Sequence, residues 1–394
     1  ARWIGHASEP SLLESYQEFR RGLDLYADMQ SAAATPHFLA AGARDSGFTL
    51  ALIFAVWTLN DAGQSGSADS LARLLHAQAL PPLDRAIVDY QLMVSAGDLN
   101  GEYRTSAALE AVAPRSEWGY LLAESAVKVG RAREAIRVLE RIGPDLGWLE
   151  TSPGYRMLLG RALHFAGEHE RELVAMEEAR RRFPTNRIIA QMVLKALAAL
   201  GRVAEVDAEV DRAFALKQMN GWSDNQPMDQ TISELRAHGY PDAARRLAER
   251  TVAWIGRQPA ADQAAIGTAR VELLLDAGRA FEARRLAVQL VAADPEDFEL
   301  QAFLARVSAE QGDSATARRI DARLTRVSDP RLRANILVYR AGIAASLGYR
   351  EVTVGLLQDA CRAGFAWRSV LHILPEFAPL RGYPPFDQLA RPVD

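Results

Sequence analysis

Residues 118–144 read WGYLLAESAVKVGRAREAIRVLERIGP. Trp118, Leu121, Leu122, Ser125, Ala126 and Val129 recur at the three- and four-residue spacing that gathers side chains on one face of an α-helix. Gly130 follows where a tight turn needs a left-handed residue. Ala135, Ile136, Val138 and Leu139 mark the apolar stripe of a second helix, and Pro144 ends it because proline cannot extend the hydrogen-bond ladder. The stretch predicts two antiparallel helices, Trp118–Val129 and Ala132–Arg141. Such a pair has too little apolar surface to make a core alone and must stack on neighbours.

The neighbours are visible in the sequence. Turn glycines recur at Gly130, Gly167, Gly201, Gly239, Gly278, Gly312 and Gly348, with gaps of 34 to 39 residues, and Gly63 and Gly97 extend the series upstream. Pro114, Pro184 and Pro295 each lie 17 residues after such a glycine. Self-similarity of this length marks a stacked-repeat protein. The fold predicted is all-α: one solenoid over residues 1–394 with roughly nine to ten helix-turn-helix repeats. Residues 1–62 read as a degenerate starting region with helices over 12–29 and 36–43, residues 63–363 as repeats, and residues 364–394 as a capping segment. The stretch from Lys217 to Met228 is a loop by composition.

Composition narrows function. Lys and Arg total 46 against 50 Asp and Glu, for a net charge of −4, and no basic block stands out, so nucleic acid is not an expected partner. Lysine occurs only at Lys128, Lys195 and Lys217; the preference for Arg, with abundant Ala, Gly, Leu and Val, matches a GC-rich bacterial genome. The one cysteine, Cys361, rules out an intrachain disulfide and a thiolate zinc site. The longest apolar run, Phe48–Leu59, is too short to span a bilayer. The chain opens at Ala1 rather than Met, as a processed or excised segment would. His164 and His169 are five apart across a turn, a poor spacing for one helix face, so no metal site is expected. There is no nucleophile elbow and no phosphate-binding glycine loop, and neither an enzymatic activity nor a cofactor is expected.

The repeat resembles the tetratricopeptide family, whose units place small residues where two helices cross closely. The first small position is matched by Ala123, Gly160, Ala305 and Ala341, the second by Ala135, Ala244, Ala283 and Ala317, and the third by Ala179, Ala213 and Ala360. Val206 and Thr353 replace the second small residue in two units. The ending, with Leu374-Pro375-Glu376-Phe377-Ala378-Pro379-Leu380 and Pro385-Phe386-Asp387, and the opening Ser11–Gly22 are similar to the C-terminal repeat regions of large bacterial signalling proteins of the serine/threonine kinase or winged-helix regulator type.

That resemblance implies a function. First helices of such repeats line a groove that binds a protein or peptide segment. On them it places Tyr120, Glu124 and Lys128, then Met157, Arg161 and His164, then Gln191 and Lys195. Lys128, Arg161 and Lys195 would form a basic stripe suited to a partner carboxylate. Trp222, in the irregular loop, is a candidate ligand contact, and an alternative reading is a small-molecule sensor built around it.

Overall fold

The computed structural model describes residues 7–216, 226–260, 263, 266–329, 332–365, 370–391 and 393. Lys217 and Trp222 lie outside the described residues. All regular structure among the described residues is helical, and it divides into two compact units.

The first unit is built on residues 1–166. It contains α1 (Leu13–Ala27), α2 (Ser31–Arg44), α3 (Thr49–Asp61), α4 (Ser65–His76), α5 (Pro82–Ala96), α6 (Leu99–Val112), α7 (Gly119–Lys128), α8 (Ala132–Ile142) and α9 (Gly154–Phe165), with a 3-10 turn at Gly147–Leu149. The second is built on residues 167–218 and 222–392. It contains α10 (His169–Arg182), α11 (Arg187–Ala199), α12 (Val203–Ala215), α13 (Gln226–Ala237), α14 (Pro241–Ile255), α15 (Gly267–Asp276), α16 (Ala280–Ala293), α17 (Phe298–Glu310), α18 (Ser314–Leu324), α19 (Arg333–Ser346) and α20 (Arg350–Arg362). A 3-10 segment, Pro375–Leu380, and α21 (Pro384–Ala390) follow.

One turn chemistry joins the pairs. After α7 the Gly130 amide donates to the Val127 carbonyl (3.0 Å) and the Arg131 amide to the Ala126 carbonyl (2.8 Å), which satisfies two carbonyls the helix end would otherwise leave bare. The same two bonds recur at Gly201, Gly278, Gly312 and Gly348. Asp98, Asn186, Asp297 and Asp313 cap the helices that follow them by accepting from backbone amides. The starting region differs from its expected form: α2 begins at Ser31 and runs through Pro36. Just before the proline, the Thr35 hydroxyl donates to the Ser31 carbonyl (2.9 Å), giving that early turn a side-chain bond.

The small residues of the repeat pattern sit where helices cross. Ala123, Ala135, Ala179, Ala244, Ala283, Ala305, Ala317, Ala341 and Ala360 are all fully buried. Val206 and Thr353 are buried at their replaced positions too. Around this shared frame the cores differ. The first unit packs Phe19, Phe38, Phe48, Phe54, Trp57 and Trp118 into one aromatic cluster. Its Gly22 lies so close to Phe38 that a Cβ would come within 2.6 Å of the ring. In the second unit the clusters on α17 to α20 are built mainly from Ala, Leu, Ile and Val. At its end Phe377 and Leu380 of the 3-10 segment and Phe386 of α21 close the apolar end of α19 and α20. The same 3-10 segment also touches α13.

Candidate functional site

The first helix of each pair carries polar residues at fixed distances before its turn glycine. In the first unit α7 presents Tyr120, Glu124 and Lys128 one turn apart, so all three share a face. Lys128 Nζ lies 3.0 Å from Glu102 Oε2 and 3.6 Å from Glu124 Oε1. Burial disfavours the Lys128 charge, but Glu124 and Glu102 outweigh it and raise its pKa. Arg161 on α9 acts electrostatically on Tyr120 and Lys128. Met157 and His164, also on α9, are buried.

Sequence reasoning missed the rest of this face. Tyr26 from α1, Asp61 from α3 and Tyr90 from α5 join Tyr120 and Glu124. Burial pushes the Tyr26 and Tyr90 hydroxyls well above their ordinary pKa, and Asp61 and Glu124 add to it for Tyr26. Asp61 is itself raised by desolvation, with Glu124 adding to it and a hydrogen bond from the Ser31 hydroxyl (3.1 Å) opposing it. Yet Asp61 is exposed, and Tyr26 and Tyr120 keep part of their surface open to water. These groups meet water and are still crowded by protein. The aromatic floor beside it is Trp148, whose ring centroid is 5.2 Å from Tyr120, 6.2 Å from Trp57 and 6.3 Å from Tyr26.

The second unit continues the register with other chemistry. Gln191 and Lys195 on α11 are buried. In α13, α15 and α17 the corresponding positions hold Asp229, Glu272 and Asp276, and Arg306 and Glu310. Burial raises Asp229 well above its ordinary range, with Glu272 and Asp276 adding to the rise. Glu272 is pushed up to about 8, first by burial, then by Asp276. Arg236 holds Asp276 at 2.5 Å. Arg306 holds Glu376 of the 3-10 segment at 3.1 Å, with 8% and 11% of the two side chains exposed. Glu376 lies against Gly342 of α19, the inward position that carries no side chain. Elsewhere in this unit two imidazole–carboxylate pairs adjoin: His169 with Glu172 at 3.2 Å and His238 with Glu234 at 3.4 Å, their rings 5.9 Å apart. An open cleft of about 390 Å³ runs along α10 and α12 past Glu177, Arg202 and Glu205. Some of its charges are met in pairs, as Arg202 with Glu205 at 2.6 Å.

The paired helices, their shared turn and the buried small residues at each crossing define the architecture. The fold is tetratricopeptide-like. No family model matches the sequence, and no curated protein matches it. Solved structures similar to the chain include a tetratricopeptide repeat protein from Parabacteroides merdae, at 14% identity and a TM-score of 0.35, covering 75% of this chain and 98% of that one. Human IFIT1, solved as a dimer with m7Gppp-AAAA, is 12% identical with a TM-score of 0.42, covering 98% of this chain and 91% of that one. The same human protein with PPP-AAAA gives a TM-score of 0.41 at 12% identity, covering 96% and 89%. No helix among the described residues is long and apolar enough to cross a membrane.

Proposed function

We propose that this tetratricopeptide-like chain is a non-catalytic scaffold that holds a segment of a protein partner against its first helices, as the interaction part of a bacterial signalling or regulatory protein. The observation that carries this is the inner face of the first unit. Tyr26, Asp61, Tyr90, Tyr120, Glu124 and Lys128 come from four different first helices and neighbour one another, with Tyr26, Asp61 and Tyr120 keeping accessible surface. Helices stacked in register offer a polar-aromatic track rather than a single enclosed cavity, and a track suits an extended or helical segment. Tyrosines add large, stiff contact surface at low entropic cost.

The test is a photo-crosslinking residue in place of Tyr120, with the full chain expressed in its source cells and the adducts read by mass spectrometry. A recurrent polypeptide adduct, lost on Arg161→Glu without a fall in Tm, is the expected result. A chain that carries only a bound small molecule, with no polypeptide adduct, overturns the reading in favour of a small-molecule sensor.

A further inference from the structure

We propose that the inner wall of the first unit recognises an alkylammonium group, the side chain of a lysine on the partner segment. The inference rests on the scaffold reading above and names the chemistry of what is held.

The first support is charge. Lys128 and Arg161 were expected to greet a carboxylate, but Lys128 already lies between Glu102 and Glu124. Among the described residues, three carboxylates, Asp61, Glu102 and Glu124, accompany two cations, Lys128 and Arg161. The groups acting on Asp61 among the described residues are the Ser31 hydroxyl and the Glu124 carboxylate, and neither is a cation. An arriving anion would meet this uncompensated charge, whereas an arriving ammonium would neutralise it.

The second support is the aromatic floor, which is independent of the charge count. Tyr26, Tyr120 and Trp148 stand with centroids 5.2 and 6.3 Å from the shared indole, steeply inclined to it, and all three keep accessible surface. On this inference the accessible parts of these rings wall the space that receives the cation. A cation within about 6 Å of such faces is attracted to them by roughly 0.5–2 kcal/mol. Lysine fits the combination because its methylene stem covers aromatic surface while its head reaches a carboxylate. Asp61 on the rim would take that head, and Tyr26 and Tyr120 would flank the stem.

The experiment titrates the full chain with a capped Ala-Ala-Lys-Ala-Ala peptide, its Nε-acetyl-lysine counterpart, a capped Ala-Ala-Glu-Ala-Ala peptide and spermidine, followed by ligand-observed NMR. The lysine peptide is expected to bind and its acetylated and glutamate counterparts to bind at least tenfold more weakly. Asp61→Asn is expected to cost the lysine peptide about tenfold, an effect that shrinks as salt is raised. Asp61 is exposed, so the variant should keep its Tm. A preference for the glutamate peptide, equal binding of the acetylated one, binding of spermidine alone, or an unchanged Asp61→Asn variant each overturns the inference. A polypeptide adduct at position 120 alongside any of those results sinks the lysine inference while the scaffold reading survives; no adduct removes both.

Discussion

In the first unit Lys128 lies between two glutamates, and Asp61 accepts from the Ser31 hydroxyl with no cation acting on it among the described residues. In the second unit the same register stacks carboxylate on carboxylate: Glu272 and Asp276 raise Asp229, Asp276 raises Glu272, and among the described residues Arg306 opposes the rise at Glu272 and Arg236 and Arg306 oppose it at Asp276. The second unit also brings its own C-terminal segment onto that wall, where Glu376 takes up Arg306. One backbone plan therefore serves two electrostatic tasks. The first wall keeps Asp61 exposed, as the proposed binding of an outside group requires. The second already has an inside one, anchored by the buried Phe377 and Leu380.

The contrast in cores can be broken most severely at Phe54. Its ring meets Phe19 and Phe38 at 5.3 Å and Trp57 at 4.9 Å. Phe54→Ala should destabilise the first unit by about 3–5 kcal/mol, measured by urea unfolding, because such rings leave a cavity their neighbours cannot fill. A loss below about 1 kcal/mol would show that the aromatic cluster does not carry this unit. Next in size is Arg306→Met in the second unit. It leaves Glu376 buried without its cation, at a cost of about 3 kcal/mol at neutral pH. Adding Glu376→Gln should restore most of that stability; if it does not, the ion pair is not what ties the C-terminal segment to the wall.

The repeat itself was legible from the turn glycines, and the helix predicted over Trp118–Val129 is found at Gly119–Lys128. The reason is local: turn, cap and apolar stripe all lie within one pair. Half of the first wall was legible for the same reason, since Tyr120, Glu124 and Lys128 sit on one helix. Tyr26, Asp61 and Tyr90 were not, because only stacking brings α1, α3 and α5 together. Yet a signal existed. Glu124, Arg161 and Lys195 each lie six residues before a turn glycine, and so do Glu272, Arg306 and Gly342. Carrying the offset to the end of the chain would have found the second wall and its missing side chain. Nothing local could have shown that Glu376 fills that place, because the tail reaches it through tertiary packing.

The third way to sharpen the comparison is pH, since each unit holds a carboxyl raised toward neutrality. Burial pushes Glu117 of the first unit up to about 7, and burial with Asp276 pushes Glu272 of the second up to about 8. In the unfolded chain both fall back to the ordinary range near 4.5. Between those values the folded form holds the proton and the unfolded form does not, so stability falls as pH rises. The loss should be complete near pH 7 for Glu117 and near pH 8 for Glu272. Glu272→Gln should therefore stabilise the protein by roughly 1–3 kcal/mol at pH 9 and hardly at all at pH 4. Glu117→Gln should do the same with its midpoint displaced downward. Thermal melts across that range decide it, and a Glu272→Gln gain that is independent of pH would mean packing, not charge, is responsible.

The smallest effect separates the degenerate starting pair from the regular ones. Met29 closes the turn after α1 with φ +57°, making the bonds that Gly312 makes after α17 at φ +84°. An L-residue held there costs roughly 1–2 kcal/mol through the clash of its Cβ with the backbone. Met29→Gly relieves that strain but frees the unfolded chain by about 0.4–1 kcal/mol, leaving a net gain of roughly 0.5–1 kcal/mol. At Gly312 a Cβ would meet nothing within 4 Å, so Gly312→Ala isolates the backbone term. It should lose about 1 kcal/mol, the mirror image of the gain at Met29. If both changes destabilise, contacts of the Met29 side chain outweigh its strain, and the starting pair is fitted to its place by packing rather than merely degenerate.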